Sequence, residues 1–593
     1  MSKRRIQEQI NSEIKAKKRD LYVMIGLIAC IVAVIFLIYG KTSNYDFVID
    51  DKIMIVDNQY VNKGMSGYWS LFSAALNGDT STPGVTRPIT MLSHAIDVEI
   101  FGLDPGPHHV INVILYAVLS VLIFALLRKY LLKNESVILA FIIVVLFISH
   151  PVHVETVANI KGRDDILCFI FGLLSLFAYF KYLKSNNFVF LVFGLLSLIA
   201  SFFCKETGVV FAVMIPMTHF FYGDQKFKSV LIQSVPFLIT GASLVILWFV
   251  LFSTESGEIN DYNNSLVAFD SYTKRYLMTL RILLHYLVLL FYPHPLSWDY
   301  SLGFFDYSDS TLLLSIISVI VYCSLLLWCV KNISQKSMIS YGILFFLLFL
   351  FPVSNLMLLI PATFGERFLF IPSFGLIVAV VFAIRELFKK WKKNRPGLDY
   401  TIYIPIVGMA LLLIFTSSAR VNYWQNEGTL IPHDYHYAKT LRGSRSYVQH
   451  LTGLQNNKKQ NHQLALNVCM DALQKFPEDW QLWYFKGVIE RFFQQHQRAK
   501  ISFRQSLTYN DKNFYALVNY GNLLVNENPI EAIELFKKAV LIEPKSPKIL
   551  GNIGILLHRQ GQLIEARSFY EKSLSIEPNN QKFRDAFDLI RSE

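Results

Sequence analysis

Apolar runs recur from residue 21 to residue 418, and they restrict this chain more than any other feature. They lie at 21–40, 108–128, 136–149, 166–181, 188–204, 207–222, 230–252, 311–330, 338–357, 368–385 and 401–418. The longer ones match the roughly 20 residues a helix needs to cross a bilayer, and the shorter ones sit near the lower limit. With 53% hydrophobic and 15% aromatic residues, the chain is too apolar for an ordinary soluble protein. The net charge of +12 does not point to nucleic acid, because much of it sits in short basic clusters between the apolar runs. The six cysteines, Cys30, Cys168, Cys204, Cys323, Cys329 and Cys469, form no CxxC pair, and five lie in or beside apolar runs. This excludes a disulfide framework and a zinc knuckle.

Residues 1–20 are basic and amphipathic, and run 21–40 lacks the short apolar core and small-residue cut site of a cleaved signal. The reading is a retained first helix with its basic end in the cytoplasm. Connectors 128–135, 181–187, 224–229, 331–337 and 386–396 carry Lys and Arg. All five fall on the amino-terminal side if eleven runs alternate across the membrane. Run 276–292 contains Arg281 and His285 and follows Arg275; a crossing there would reverse every later basic connector. It is therefore placed as a re-entrant or interfacial helix on the outer side. Eleven crossings put everything from about residue 420 outside the cytoplasm.

That remainder repeats with a period near 34. Gly453, Gly487, Gly521 and Gly554 recur, each followed after eleven or twelve residues by Ala465, Ala499, Ala532 or Ala566. Pro477, Pro544 and Pro578 close three units and Asp511 stands in the fourth, while Trp483, Phe503, Phe536 and Tyr570 fill large packing positions. Small residues let antiparallel helices approach and proline stops the second helix. These are four tetratricopeptide repeats. The expected organisation is a cytoplasmic terminus at 1–20, a membrane domain at 21–420 with a first outer loop at 41–107, a linker at 421–445 and the repeats at 446–593.

The outer connectors hold the chemistry. The first contains Asp50 and Asp51, directly after run 21–40, and Arg87-Pro88. Acids beside hydrocarbon are costly and want a function or a cationic partner; the bland alternative is a turn. The second, HPVHVETVANIKGRDD at 150–165, supplies His150, His153, Glu155, Lys161, Arg163 and Asp164. The third brings Lys205 and Glu206 close to the apolar zone in a hairpin with almost no loop, and the fifth holds Glu366 and Arg367. His150, His153 and Glu155 have a spacing that suits a metal, but Pro151 favours a turn and the i, i+4 pair of a zincin is missing. No metal ligand is assigned, although a divalent ion stays open as a cofactor. Together these acids and cations suit a lipid-linked sugar phosphate. Cations stabilise the departing phosphate, and one carboxylate base takes the proton of an attacking hydroxyl. One displacement inverts the anomeric centre. No phosphate-binding glycine loop or nucleophile elbow offers a competing chemistry.

The segments FVIDDKIMIVDN, TRPITMLSHAID, HHVINVILY, HPVHVETVANIKGRDDIL, CKETG, WDYS, GERFLFIPSFG and VNYWQNEGTL, followed by the repeats, cover nearly the whole chain. In these the chain resembles the transmembrane and tetratricopeptide-repeat O-mannosyltransferases, within the wider C-type glycosyltransferase fold of the protein O-mannosyltransferases. The resemblance implies an all-α polytopic membrane domain of about eleven helices followed by an α-solenoid. It implies a polyprenyl-phosphate (dolichyl-type) mannose donor and transfer to Ser or Thr of proteins on the non-cytoplasmic side. It makes one of Asp50 and Asp51 the catalytic base, with Asp51 favoured. Arg87, His150, His153, Arg163, Lys205, Glu206 and Arg367 become donor phosphate and sugar contacts, and the repeat groove an acceptor-polypeptide site. Four repeats are fewer than animal members carry, which fits a bacterial inner-membrane protein with periplasmic repeats; in a eukaryote the repeats would face the lumen of the endoplasmic reticulum. The competing readings are transfer to lipid or cell-wall glycan and a non-enzymatic scaffold that recruits proteins through the repeats. A transporter would place ionisable groups near mid-membrane, whereas here they sit mostly at helix ends.

Overall fold

The computed structural model describes residues 3–77, 79, 82–252, 259–260, 262–392 and 403–592. The end of the basic connector 386–396 lies outside the described residues. The described residues are helical with connecting turns, and the chain divides into two compact units, Met1–Tyr437 and Ala438–Glu593.

Among the described residues of the first unit seven helices are long and apolar enough to cross a bilayer, or eight if the bent pair Val137–Ile148 and Pro151–Ala158 counts as one span. The expected count of eleven is not reached on this measure. Run 188–204 forms Phe188–Cys204, run 338–357 forms the apolar stretch Met338–Val353, and run 207–222 contributes the 12-residue Phe211–Tyr222. At 1.5 Å per residue such helices fall short of a hydrocarbon layer of about 30 Å. Helix Tyr272–Phe291 is not among the seven spans. It is amphipathic, and its apolar side (Met278, Ile282, Leu283, Tyr286, Leu290) builds a second core with Leu296, Tyr300, Phe305 and Phe364.

The main core lies between Pro105–Leu126, Val137–Ile148, Arg163–Ser185 and Phe370–Lys392. Rings of Phe147, Phe169, Phe345, Phe370 and Phe374 meet edge-on or tilted at its centre. By contrast Leu312, Leu313, Ile316, Ile320 and Leu327 of helix Ser310–Asn332 are exposed, as a lipid-facing helix requires. Glycine permits a close helix contact: a Cβ on Gly342 would lie 2.3 Å from the Gly375 carbonyl.

Connectivity separates two ends of this unit. Helix Pro105–Leu126 runs about 33 Å from His108 towards Arg128. At the Arg128 end, Arg385 makes two 2.7 Å bonds to Glu135 and Lys336 Nζ donates to the Gly223 carbonyl. Connector 128–135 is thus tied to the residue before 386–396, and connector 331–337 to the residue before 224–229. The acids and cations of the intervening connectors collect at the His108 end.

The second unit is a set of antiparallel helix pairs: Leu441–Gly453 with Lys458–Lys475, Trp480–Phe492 with His496–Tyr509, Phe514–Leu524 with Pro529–Ile542, and Pro547–Arg559 with Leu563–Ile576. Helix Gln581–Ser592 follows. Ala465, Ala499, Ala532 and Ala566 are fully buried. A Cβ on Gly487, Gly521 or Gly554 would come within 2.8 Å of the ring of Phe503, Phe536 or Tyr570 respectively. Gly453 has nothing within 4 Å, because one repeat before Phe503 the residue is the smaller Cys469. Trp483 is not part of that ring series; it sits half-buried on the first helix of its pair, with Nε1 donating to the Pro477 carbonyl at 2.8 Å.

Candidate active site

The acidic pair sits on a tight turn that opens the short helical segment Lys52–Val56, beyond the first helix and the turn Gly40–Asn44. Asp51 is fully buried. Its Oδ1 accepts from Lys161 N at 2.7 Å and its Oδ2 from Val48 N at 3.2 Å. Burial pushes its carboxyl up to about 7, against the pull of those backbone bonds, and the neighbouring charge of Asp50 adds to the rise. Asp50 points the other way. Its side chain is 23% exposed, and Oδ2 lies 3.9 Å from Arg367 Nη1.

The segment 150–165 folds into three short turns before helix Arg163–Ser185. Gly162 makes this possible: a Cβ there would lie 2.2 Å from the Thr156 carbonyl. Asn159 caps the last turn by accepting from Lys161 N at 3.1 Å, which also aims that N–H at Asp51. Glu155 receives Arg367 twice, from Nη1 at 2.7 Å and from the backbone N at 3.2 Å.

Arg87 precedes Pro88, so its backbone is held out of the helical region. The guanidinium reaches Asp164 at 2.5 Å and Glu206 at 3.0 Å. Burial alone would lower the proton affinity of Arg87, but Glu206 and Asp164 raise it instead. Burial would likewise raise Glu206, and Arg87 holds it below the usual carboxylate range. Lys161 Nζ is 3.4 Å from Asp164. Lys205 is the single extended residue between two helical segments, and its ammonium meets Asp165 at 2.5 Å with both side chains buried. Asp164 thus feels four cations, Lys161, Lys205, Arg87 and Arg367.

Of the residues singled out from the sequence, Asp50, Arg87, Lys205, Glu206 and Arg367 belong to this one network. His150, His153 and Arg163 lie beneath it, bonded to protein. His150 Nε2 donates to the Leu290 carbonyl at 2.9 Å and Nδ1 accepts from Val152 N at 3.4 Å. His153 is enclosed by Phe147 and Phe370; Tyr116 OH meets Nδ1 at 2.8 Å and Ser373 Oγ meets Nε2 at 2.9 Å. Arg163 is fully buried, 2.6 Å from Asp97, with Nε donating to Asn112 at 2.7 Å and Nη2 to the His108 carbonyl. Among the described residues, no group of three His, Cys, Asp or Glu is arranged to hold a metal ion. Lys161 and Asp164, named with the outer polar set but not among the donor contacts, join the network, as does Asp165, which was not singled out. The signal was the acidic doublet in the first turn of an apolar helix, where helix dipole and cations both favour negative charge.

A narrow cleft adjoins the network. Asp165, Lys205 and Thr207 line its polar part and Phe349, Val353, Phe368, Ile371 and Pro372 its apolar part.

Residues 547–580 match a tetratricopeptide repeat family. Protein O-mannosyl-transferase F38B6.6 of Caenorhabditis elegans is 26% identical over 390 residues, covering 65% of this chain and 54% of its own length. Protein O-mannosyl-transferase TMTC3 of Mus musculus and of Homo sapiens are each 23% identical over 613 residues, 93% of this chain and 64% of theirs. The chain therefore spans between about half and two-thirds of the length of these relatives. Among solved structures, yeast Tom70 aligns over 73% of this chain and 92% of its own, at 13% identity and a TM-score of 0.24. The MamA protein aligns over 25% and 81%, at 15% identity and a TM-score of 0.23. Scores this low carry no argument about the fold. By sequence, the chain is a relative of the transmembrane and tetratricopeptide-repeat O-mannosyltransferases.

Proposed function

We propose that this protein is an inverting glycosyltransferase. It moves mannose from a polyprenyl-phosphate donor to Ser or Thr hydroxyls of polypeptides on the non-cytoplasmic side of a membrane. The observation that carries the reading is the placement of Asp50, partly exposed and 3.9 Å from Arg367, in a network that also holds Arg87, Lys161 and Lys205. The relatives' names support mannose and a protein acceptor.

In this reading Asp50, rather than Asp51, is the base. Asp51 is fully enclosed with both oxygens on backbone N–H groups, so it shapes the turn. The acceptor oxygen attacks the anomeric carbon while its proton passes to Asp50. The bond from that carbon to the phosphate oxygen breaks, and the phosphate leaves with the electron pair. Lys205, Arg87, Lys161 and Arg367 take up its charge; each arginine has five N–H donors and keeps some for phosphate while paired to a carboxylate. The lipid tail follows the apolar wall of Phe349, Val353 and Phe368. The repeats present the acceptor polypeptide.

The test is transfer from polyprenyl-phosphate mannose by purified membranes. Asp50→Asn is expected to lower kcat by roughly 10²- to 10⁴-fold, the usual worth of a general base, with donor KM little changed. Full activity in Asp50→Asn removes the assignment.

A further inference from the structure

We infer that Glu427 is a positioning residue that holds the Asp50–Asp51 turn in its working shape, an inference that rests on the transferase reading above. The turn is built on an unfavourable backbone. Ile49, immediately before the acids, has φ +44°. A β-branched residue rarely adopts that region, since its branched Cβ crowds the carbonyl. Such strain persists only where the surroundings over-determine it.

The outside constraint comes from the segment that leads into helix Glu427–Tyr437. Glu427 Oε1 accepts from Ile49 N at 3.3 Å and lies 2.9 Å from Lys52 Nζ. Asp46 N donates to the Gln425 carbonyl at 2.9 Å. The turn itself closes through Asp51 N to the Val48 carbonyl and Lys52 N to the Ile49 carbonyl. One carboxylate thus grips the strained amide and the lysine beyond the acids, and a backbone bond grips the approach. The shape so held sends Asp51 inward to Lys161 N and Asp50 towards Arg367. If Ile49 relaxed to negative φ, Asp50 would leave Arg367. Glu427 acts through the turn.

Four proteins test this: wild type and the full chains carrying Glu427→Ala, Glu427→Gln, and Glu427→Ala with Ile49→Gly. Loss of the grip is expected to lower kcat in Glu427→Ala by roughly 10²-fold, the scale of a misplaced reacting group, with donor KM little changed. Glutamine keeps an oxygen for Ile49 N–H, so Glu427→Gln is expected to lose less than about 10-fold by the same reasoning. Glycine adopts positive φ freely, so adding Ile49→Gly should recover much of the rate. Amide hydrogen exchange of peptide 45–56 is followed in parallel and should quicken in Glu427→Ala. Unchanged kcat and exchange in Glu427→Ala overturn the proposal, as does a double variant no better than the single. Quickened exchange in a protein whose wild type transfers no sugar would instead leave the grip standing and remove the transferase reading.

Discussion

Asp51 is a carboxyl group without access to water, and that sets the sign of its effect on stability. Its proton affinity rises from 3.8 to about 7 on folding. Between those values the folded protein binds more protons than the unfolded chain, so the contribution of Asp51 favours folding most at acid pH and declines as pH rises. The melting temperature of wild type minus that of Asp51→Asn should fall from about pH 4 to pH 7 and level off above; a difference that grows with pH contradicts the buried-acid picture. Arg163 makes a second residue-scale case. It is fully buried against Asp97, and removing one partner of such a pair leaves the other charge uncompensated, at about 3–5 kcal/mol. Arg163→Met should therefore lower thermal stability strongly, whereas Arg367→Met, at the partly exposed end of the network, should lower donor affinity with a smaller stability loss. Equal melting temperatures for the two variants would break this distinction. The sequence pointed to Arg163, Arg87 and Arg367 alike as basic residues in outer loops. It carries no sign of which one folding buries, because burial of Arg163 depends on Asp97 and Asn112 arriving from two other helices.

At the scale of elements, the period near 34 was legible because each repeat solves the same packing problem with the same residue types. Gly487, Gly521 and Gly554 face the rings of Phe503, Phe536 and Tyr570, whereas Gly453 faces open space. Gly521→Ala should overpack its pair and cost about 1–3 kcal/mol. Gly453→Ala should be neutral or slightly stabilising, since alanine is the better helix former. Thermal unfolding of the two variants checks this, and equal losses would mean that the repeat glycines serve backbone conformation rather than packing. The crossing count was less legible for a related reason. Apolar content marks a run as buried, yet core and lipid both bury it. Phe211–Tyr222 is as apolar as its neighbours and only 12 residues long. Ile49 left no trace in the sequence at all, since its backbone is fixed by contacts with residues more than 370 positions away.

At the scale of the molecule, every residue placed in the acid–cation network precedes residue 437, and the two cores of the membrane unit are built from residues up to Leu430. A chain ending at Tyr437 keeps Asp50, the cations and the apolar cleft, and loses every repeat. If the repeats present the acceptor polypeptide, this shortened chain should still bind polyprenyl-phosphate mannose with an affinity near that of the full chain. Transfer to a folded protein acceptor should drop by about 10-fold or more, because tethering of the acceptor adds effective concentration that free diffusion does not supply. Transfer to a short Ser/Thr peptide at high concentration should suffer less. Donor binding reports that the membrane unit is intact, so the two transfer rates can be compared directly. Undiminished transfer to the protein would detach the repeats from acceptor recruitment, and undiminished transfer to lipid or glycan alone would move the acceptor to that class.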